Sequence, residues 1–280
     1  MAKKKEVKKE SGFELTIENS RILKTVVETL ASIIDETEII VTPKEFMIRA
    51  MDPSRICLLQ VIMEKKDWDK YNCKSKQNLG INLEDLDKIM KRASLKDTIT
   101  LSFIPEEEKL KIKMRREGDN RIRVFSLSSL KLELEDIPLE NLLNIDYSTI
   151  FAINVSILEE ALKDAEIYSE IFTIKSLKDE GINFSSVGII GEMLYELGSD
   201  ELEELNIIKD STESYNVKFL ISILKLKGIT EKLEVSLKTD NPAKLVFNIT
   251  DGGIAHFFLA PRVEEVEFDE SEVELIEEEV

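Results

Sequence analysis

His256, Cys57 and Cys73 are the side chains of this sequence most suited to nucleophilic or general-base work, and none has a partner at a useful spacing. His256 is the only histidine and stands in an apolar run, Ile254-Ala255-His256-Phe257-Phe258-Leu259, where a packed structural role is expected rather than that of a base or metal ligand. Cys57 also lies in an apolar run and reads as a small core residue. Zinc needs several His or Cys ligands at close spacing, and covalent catalysis needs a nucleophile beside a base; neither pattern is present. Gly188 and Gly191 suggest a phosphate loop, but no lysine follows at Walker spacing. Asp251-Gly252-Gly253 is a hairpin-turn pattern, and Trp68 and Tyr71 read as packing or rim residues. The expectation is a protein that is not an enzyme and has no catalytic residues, metal or cofactor.

The chemistry that remains is electrostatic. Arg21 and Lys24 are three residues apart in one helical stretch; Lys88, Lys91 and Arg92 share a side of a second. In a third stretch Lys218, Ser222 and Lys225 recur at i, i+4 and i+7, with Lys227 beyond, and a fourth offers Lys163 among Glu159, Glu160 and Glu166. Bases on such faces can hold phosphates without reading sequence. Lysines on exposed helix faces are also ordinary solvated surface, and the spacing alone leaves both readings open. The background makes the stripes notable: 38 Lys and Arg stand against 56 Asp and Glu, a net charge of -18. A uniformly acidic surface would repel nucleic acid, whereas bases gathered on one face need not be so hindered.

Four amphipathic helices would position these bases, predicted over 20–34, 83–94, 156–167 and 214–227 from apolar residues at helical spacing. Asn19 or Ser20 can cap the first and Asn82 the second, and Gly228 can stop the fourth. Alternation predicts strands at 13–17, 98–103, 110–114, 121–125, 233–237 and 245–249. The order of elements recurs after about 135 residues, which implies an internal duplication of a β-α-β-β-β, α-β-β-β unit. The fold class is therefore α+β. The expected divisions are a disordered basic tail over 1–11, a first domain over 12–127, a connecting loop with exposed leucines over 128–147, a second domain over 148–265, and an acidic tail over 266–280. No apolar run approaches the ~20 residues that span a bilayer. The lysine-rich start lacks the apolar stretch of a secretory signal, and two unpaired cysteines suit a reducing compartment. A soluble, cytoplasmic protein is expected.

Several motifs resemble one known family. Arg49-Ala50-Met51-Asp52-Pro53-Ser54-Arg55, then Gly80-Ile81-Asn82-Leu83 running into Asp87-Lys88-Ile89-Met90-Lys91-Arg92, then Lys96-Asp97-Thr98, and finally Phe258-Leu259-Ala260-Pro261-Arg262-Val263-Glu264 are similar to signatures of proliferating cell nuclear antigen, the DNA sliding clamp, in its archaeal form. The matches cover nearly the whole folded chain in the family's order. The resemblance implies a two-domain clamp fold with two helices per domain on the inner face of outer antiparallel sheets. It further implies a trimeric ring around duplex DNA that confers processivity on DNA polymerase and recruits replication and repair proteins.

By the same resemblance Arg21, Lys24, Lys88, Lys91, Arg92, Lys163, Lys218 and Lys225 are candidate phosphate contacts, weak and salt-sensitive as sliding requires. A pocket for short partner peptides would use Met51, Ile56, Leu58, Pro242, Phe258, Leu259, Ala260 and Pro261, with Ile137, Pro138 and Leu139 as its lid. The head-to-tail subunit contact would join edge strands at 109–114 and 192–197, through Leu110, Ile112 and Met114 on one side and Met193 and Tyr195 on the other. Implied partners are double-stranded DNA without sequence preference, DNA polymerase, a clamp loader, flap endonuclease and DNA ligase, with a homotrimer and a heterotrimer of sister subunits both open. The acidic third helix departs from the family pattern and motivates an alternative, a clamp-fold interaction scaffold with no DNA-loading role.

Overall fold

The computed structural model describes residues 12–116, 118, 121–132, 139–198 and 200–262. The expected tails over 1–11 and 266–280 lie outside them, as do Ile137 and Pro138 of the expected lid. The first half runs β1 (Phe13–Ile17), α1 (Ser20–Ala31), β2 (Glu36–Val41), β3 (Glu45–Met51), β4 (Cys57–Glu64), β5 (Lys70–Cys73), β6 (Gln77–Asn82), α2 (Leu83–Met90), β7 (Asp97–Ile104), β8 (Lys109–Arg116) and β9 (Ile122–Ser128). A short helix, α3 (Leu139–Leu143), follows. The second half repeats the order: β10 (Thr149–Asn154), α4 (Val155–Glu166), β11 (Ile171–Leu177), β12 (Gly181–Gly188), β13 (Gly191–Leu197), β14 (Leu202–Ile207), β15 (Ser211–Asn216), α5 (Val217–Ile223), β16 (Lys232–Leu237), β17 (Ala243–Asn248) and β18 (Ile254–Leu259). Each half thus has five strands between its helices, two more than the alternation patterns suggested.

The strands form three antiparallel sheets, ordered β5-β1-β7-β8-β9, β14-β10-β16-β17-β18-β4-β3-β2-β6 and β13-β12-β11-β15. The nine-stranded sheet spans both halves through the β18–β4 ladder, which pairs Ile254 with Ile62 through to Leu259 with Cys57. Period-two burial drives this: in β7 every second residue from Asp97 to Phe103 is buried, and in β3 the buried set is Phe46, Ile48 and Ala50. The buried faces meet one stripe of each helix, such as Leu23, Val26, Val27 and Leu30 of α1. One continuous core results. The helices form a common layer, with α1 against α2, α4 against α5, and α1 also meeting α5.

All four long helices start on an asparagine whose side-chain oxygen accepts a backbone N–H of the first turn: Asn19 from Arg21, Asn82 from Asp85, Asn154 from Ser156 and Asn216 from Lys218. The helices are shorter than predicted. α1 ends at Ala31, α2 at Met90, and the fourth starts at Val217, because 214–216 complete β15; after Ile223 it tightens into 3-10 turns over Leu224–Gly228. The expected exposed leucines of the connecting loop also need correction, since Leu139 is 3% exposed.

Candidate nucleic-acid interface and partner pocket

The predicted bases lie on the helix layer, on the faces turned from the core, and are exposed except for the half-buried Lys24. Their charge is unevenly available. Lys88 is 2.9 Å from Glu84 and 3.2 Å from Asp85, Lys91 is 2.6 Å from Asp87, Lys163 is 3.3 Å from Glu159 and Lys218 is 2.5 Å from Glu170. Lys227 also reaches Glu159 at 2.5 Å, and its hydrogen bond leads the effects that hold that carboxyl below its usual range. The Lys24 ammonium donates to the Ala93 carbonyl at 3.2 Å, which ties α1 to the end of α2. Arg21, Arg92 and Lys225 form no side-chain ion pair among the described residues. Exposed pairs of this kind exchange partners at little cost, so a phosphate can compete for the paired lysines.

The opposite face of the nine-stranded sheet carries a second, smaller apolar cluster. Leu58 and Phe258 are buried there with Leu139 of α3, against the half-buried Met51 and Leu142. A tight loop holds Met51 in place. The Asp52 carboxylate accepts the Cys57 N–H at 2.5 Å, the Ser54 N–H at 2.9 Å and the Ser54 hydroxyl, and Arg55 takes the left-handed conformation at φ 59°. On the far side the Tyr147 hydroxyl donates to the Pro242 carbonyl at 3.2 Å, and the Ala260 N–H donates to the Ile56 carbonyl at 2.8 Å. Pro242, Ala260 and Pro261 are half-buried around this cluster. Two expected pocket residues do not belong to it. Leu259 is fully buried in the main core, one strand position out of phase with Phe258, and Ile56 packs against that same core. Leu142 and Tyr147 were missed because their stretch has no regular period.

The edge assignment requires the largest correction. β8 is an interior strand between β7 and β9, and Leu110, Ile112 and Met114 point into the core at no more than 1% exposure. The true edge is β9, where Ile122 and Val124 are exposed. A meander whose last strand is followed by a loop leaves that last strand at the edge, and this was the available signal. β13 is an edge as expected, but Met193 and Tyr195 turn inward against the core while Glu192, Leu194 and Glu196 face out. Buried Asp97 anchors β9, 3.2 Å from Arg116 and 2.5 Å from Arg123.

The residues set aside for catalysis behave as packing. Burial pushes the Cys57 thiol up to about 12, with the Asp52 charge adding to it. His256 is half-buried, and burial lowers its pKa, with the Lys244 charge adding. Among the described residues no cluster of three His, Cys, Asp or Glu could hold a metal, and no helix is long and apolar enough to cross a membrane. The main surface groove, near the start of α1, mixes Arg21, Lys66 and Lys227 with Asp67, Glu231 and Asp251, and it lies apart from the apolar cluster.

Comparison with known proteins covers both halves. Residues 12–137 match the N-terminal domain of proliferating cell nuclear antigen, and residues 141–262 match its C-terminal domain. The sequence is 27% identical over 245 residues to the DNA polymerase sliding clamp of Nitrosopumilus maritimus (strain SCM1), covering 86% of this chain and 95% of that protein. It is 27% identical over 257 residues to the DNA polymerase sliding clamp of Pyrococcus horikoshii, covering 90% and 99%. The crystal structure of proliferating cellular nuclear antigen from Entamoeba histolytica has the same fold, with a TM-score of 0.81 at 23% identity over 90% of this chain and 99% of that one.

Proposed function

This chain belongs to the proliferating cell nuclear antigen family, and we propose that it is one subunit of a three-membered DNA sliding clamp in the cytoplasm, a non-catalytic ring that encircles duplex DNA and tethers DNA polymerase. The observation that supports this most is the pairing left incomplete by the duplicated halves. Inside the chain the last strand of the second half, β18, pairs with β4 of the first. By strand order β9 is the counterpart of β18 and β13 is the counterpart of β4, and both are unpaired edges. Repeating the internal seam between chains adds one chain head-to-tail to the next and removes both edges. The helix layer then lines the hole, with Arg21, Arg92 and Lys225 as the readiest phosphate contacts and the paired lysines as reserves.

The apolar cluster at Leu58, Phe258, Met51 and Leu139, rimmed by Pro242, Ala260 and Pro261, suits an extended peptide with aromatic anchors, as polymerase, flap endonuclease, ligase and clamp-loader segments would present. Light scattering tests the assembly, with the mass of three chains expected. Retention on nicked circular plasmid, lost when the plasmid is cut, tests encirclement; a protein held equally by linear DNA would refute it. A second reading, an interaction scaffold without DNA loading, is favoured by the carboxylates that neutralise Lys163 and Lys218. Normal peptide binding with no plasmid retention would select it.

A further inference from the structure

We infer that β9 and β13 are complementary to each other, so the ring closes from copies of this one chain, with Val124 of one copy opposite Leu194 of the next. This rests on the clamp reading above and names the partner, a second copy. The other sheet edges are already managed. β6 is met by Leu130, whose N–H donates to the Gly80 carbonyl at 2.8 Å, and β15 by Arg262, whose N–H donates to the Ser214 carbonyl at 2.8 Å. β5 is only four residues long, and β14 is a mostly exposed, acidic Leu-Glu-Glu-Leu-Asn-Ile strand. β9 and β13 instead present Val124 at 59% and Leu194 at 63% exposure.

The register follows from the duplication. Asn82 and Asn216 cap equivalent helices, which makes Gly80 equivalent to Ser214. Leu130 is then equivalent to Arg262, and counting back makes Val124 equivalent to His256. Across the other sheet the same caps make Leu194 equivalent to Gln60, since Ser185 pairs with Leu194 as Arg49 pairs with Gln60. His256 pairs with Gln60 in the seam, so Val124 pairs with Leu194, Ile122 with Glu196 and Ser126 with Glu192.

The charges match in that register. Behind Ile122, Val124 and Ser126 on β8 stand Arg115, Lys113 and Lys111. Glu192 and Glu196 therefore flank the Val124–Leu194 contact and come within diagonal reach of these bases. Lys113, Arg115, Glu192 and Glu196 form no ion pair among the described residues, so their charge is available to a neighbouring copy.

The test is oxidative cross-linking of the full chain, purified alone, with its mass measured in parallel. Cα atoms directly opposite in a ladder are within disulfide range, whereas a two-residue slip is not. Both native cysteines are buried, so background coupling is low. The V124C/L194C variant is expected to give covalent dimers and trimers, while I122C/L194C gives none. A three-chain mass with cross-linking only in I122C/L194C, or in neither variant, would overturn the register and leave the ring standing. A one-chain mass at every concentration would overturn self-complementarity, and plasmid retention after adding a sister clamp subunit would then show whether the clamp reading survives. Reversing Glu192 and Glu196 to Lys should raise the half-assembly concentration by about tenfold or more, and adding Lys113→Glu with Arg115→Glu should restore it. No effect of either change would remove the charge argument.

Discussion

Leu58 and Phe258 stand opposite one another across the β4–β18 ladder and are buried together beneath Leu139 of α3. One residue comes from each half, and the third comes from the segment that connects the halves. The partner pocket is therefore built at the seam.

Leu139 is the one buried residue of α3, so Leu139→Ala should free this helix at a modest cost, about 2 kcal/mol, the low end for a large-to-small change. Phe258→Ala should cost about 3–5 kcal/mol because it also empties the seam. Urea denaturation of the two variants gives the order directly. A Leu139→Ala cost equal to that of Phe258→Ala would mean α3 belongs to the global fold.

Asp52 accepts the Cys57 and Ser54 N–H groups, and its removal strands donors beside a buried turn. Asp52→Ala should destabilise the chain by about 1–3 kcal/mol and weaken binding of an aromatic peptide through displacement of Met51. Stability and peptide affinity measured on the same preparation would separate a local loop effect from general unfolding.

Arg21 and Lys225 have no carboxylate partner, whereas Glu159 stays held by Lys227 if Lys163 is removed. Each of Arg21→Ala and Lys225→Ala should lower the salt dependence of duplex binding by about 0.9 in the log–log slope. Lys163→Ala should change it far less. Equal slopes for all three would contradict the division into free and paired bases.

His256 supplies a pH signature. Its pKa in the fold lies below the usual 6.5 because burial disfavours the imidazolium, with the Lys244 charge adding. The unfolded chain therefore takes up a proton first. The stability this group contributes is complete above pH 6.5 and is lost as pH falls through the folded value. As the only histidine, it gives one imidazole signal by NMR. That signal should titrate below 6.5, and His256→Phe should flatten this part of the stability profile. A midpoint at or above 6.5 would reverse the sign.

How much of this was legible depended on burial. β3, β7 and β18 sit inside sheets, while the strands that alternation failed to reveal, β5, β6, β14 and β15, are all edges. An edge strand keeps its polar residues, so Lys70-Tyr71-Asn72-Cys73 carries no strong period. The helices were located by their apolar stripes, but their ends were overextended, because Ile34 and Ala93 are buried just beyond the final turn and mimic its continuation. The basic stripes were visible as residue types. Which lysines are neutralised was not, since Glu170 and Lys218 are distant in sequence and meet only through the fold. The motif residues found Leu58 and Phe258, yet motif matching cannot separate Phe258 from Leu259, whose side chains leave opposite faces of the same strand.

The sheet that runs unbroken through both halves leaves the middle of the chain without a hinge. A gate wide enough to admit a duplex would have to form between neighbours. The internal ladder indicates what a loading machine must undo there: six cross-strand pairs, released in succession from one end while the rest of the wall stays rigid.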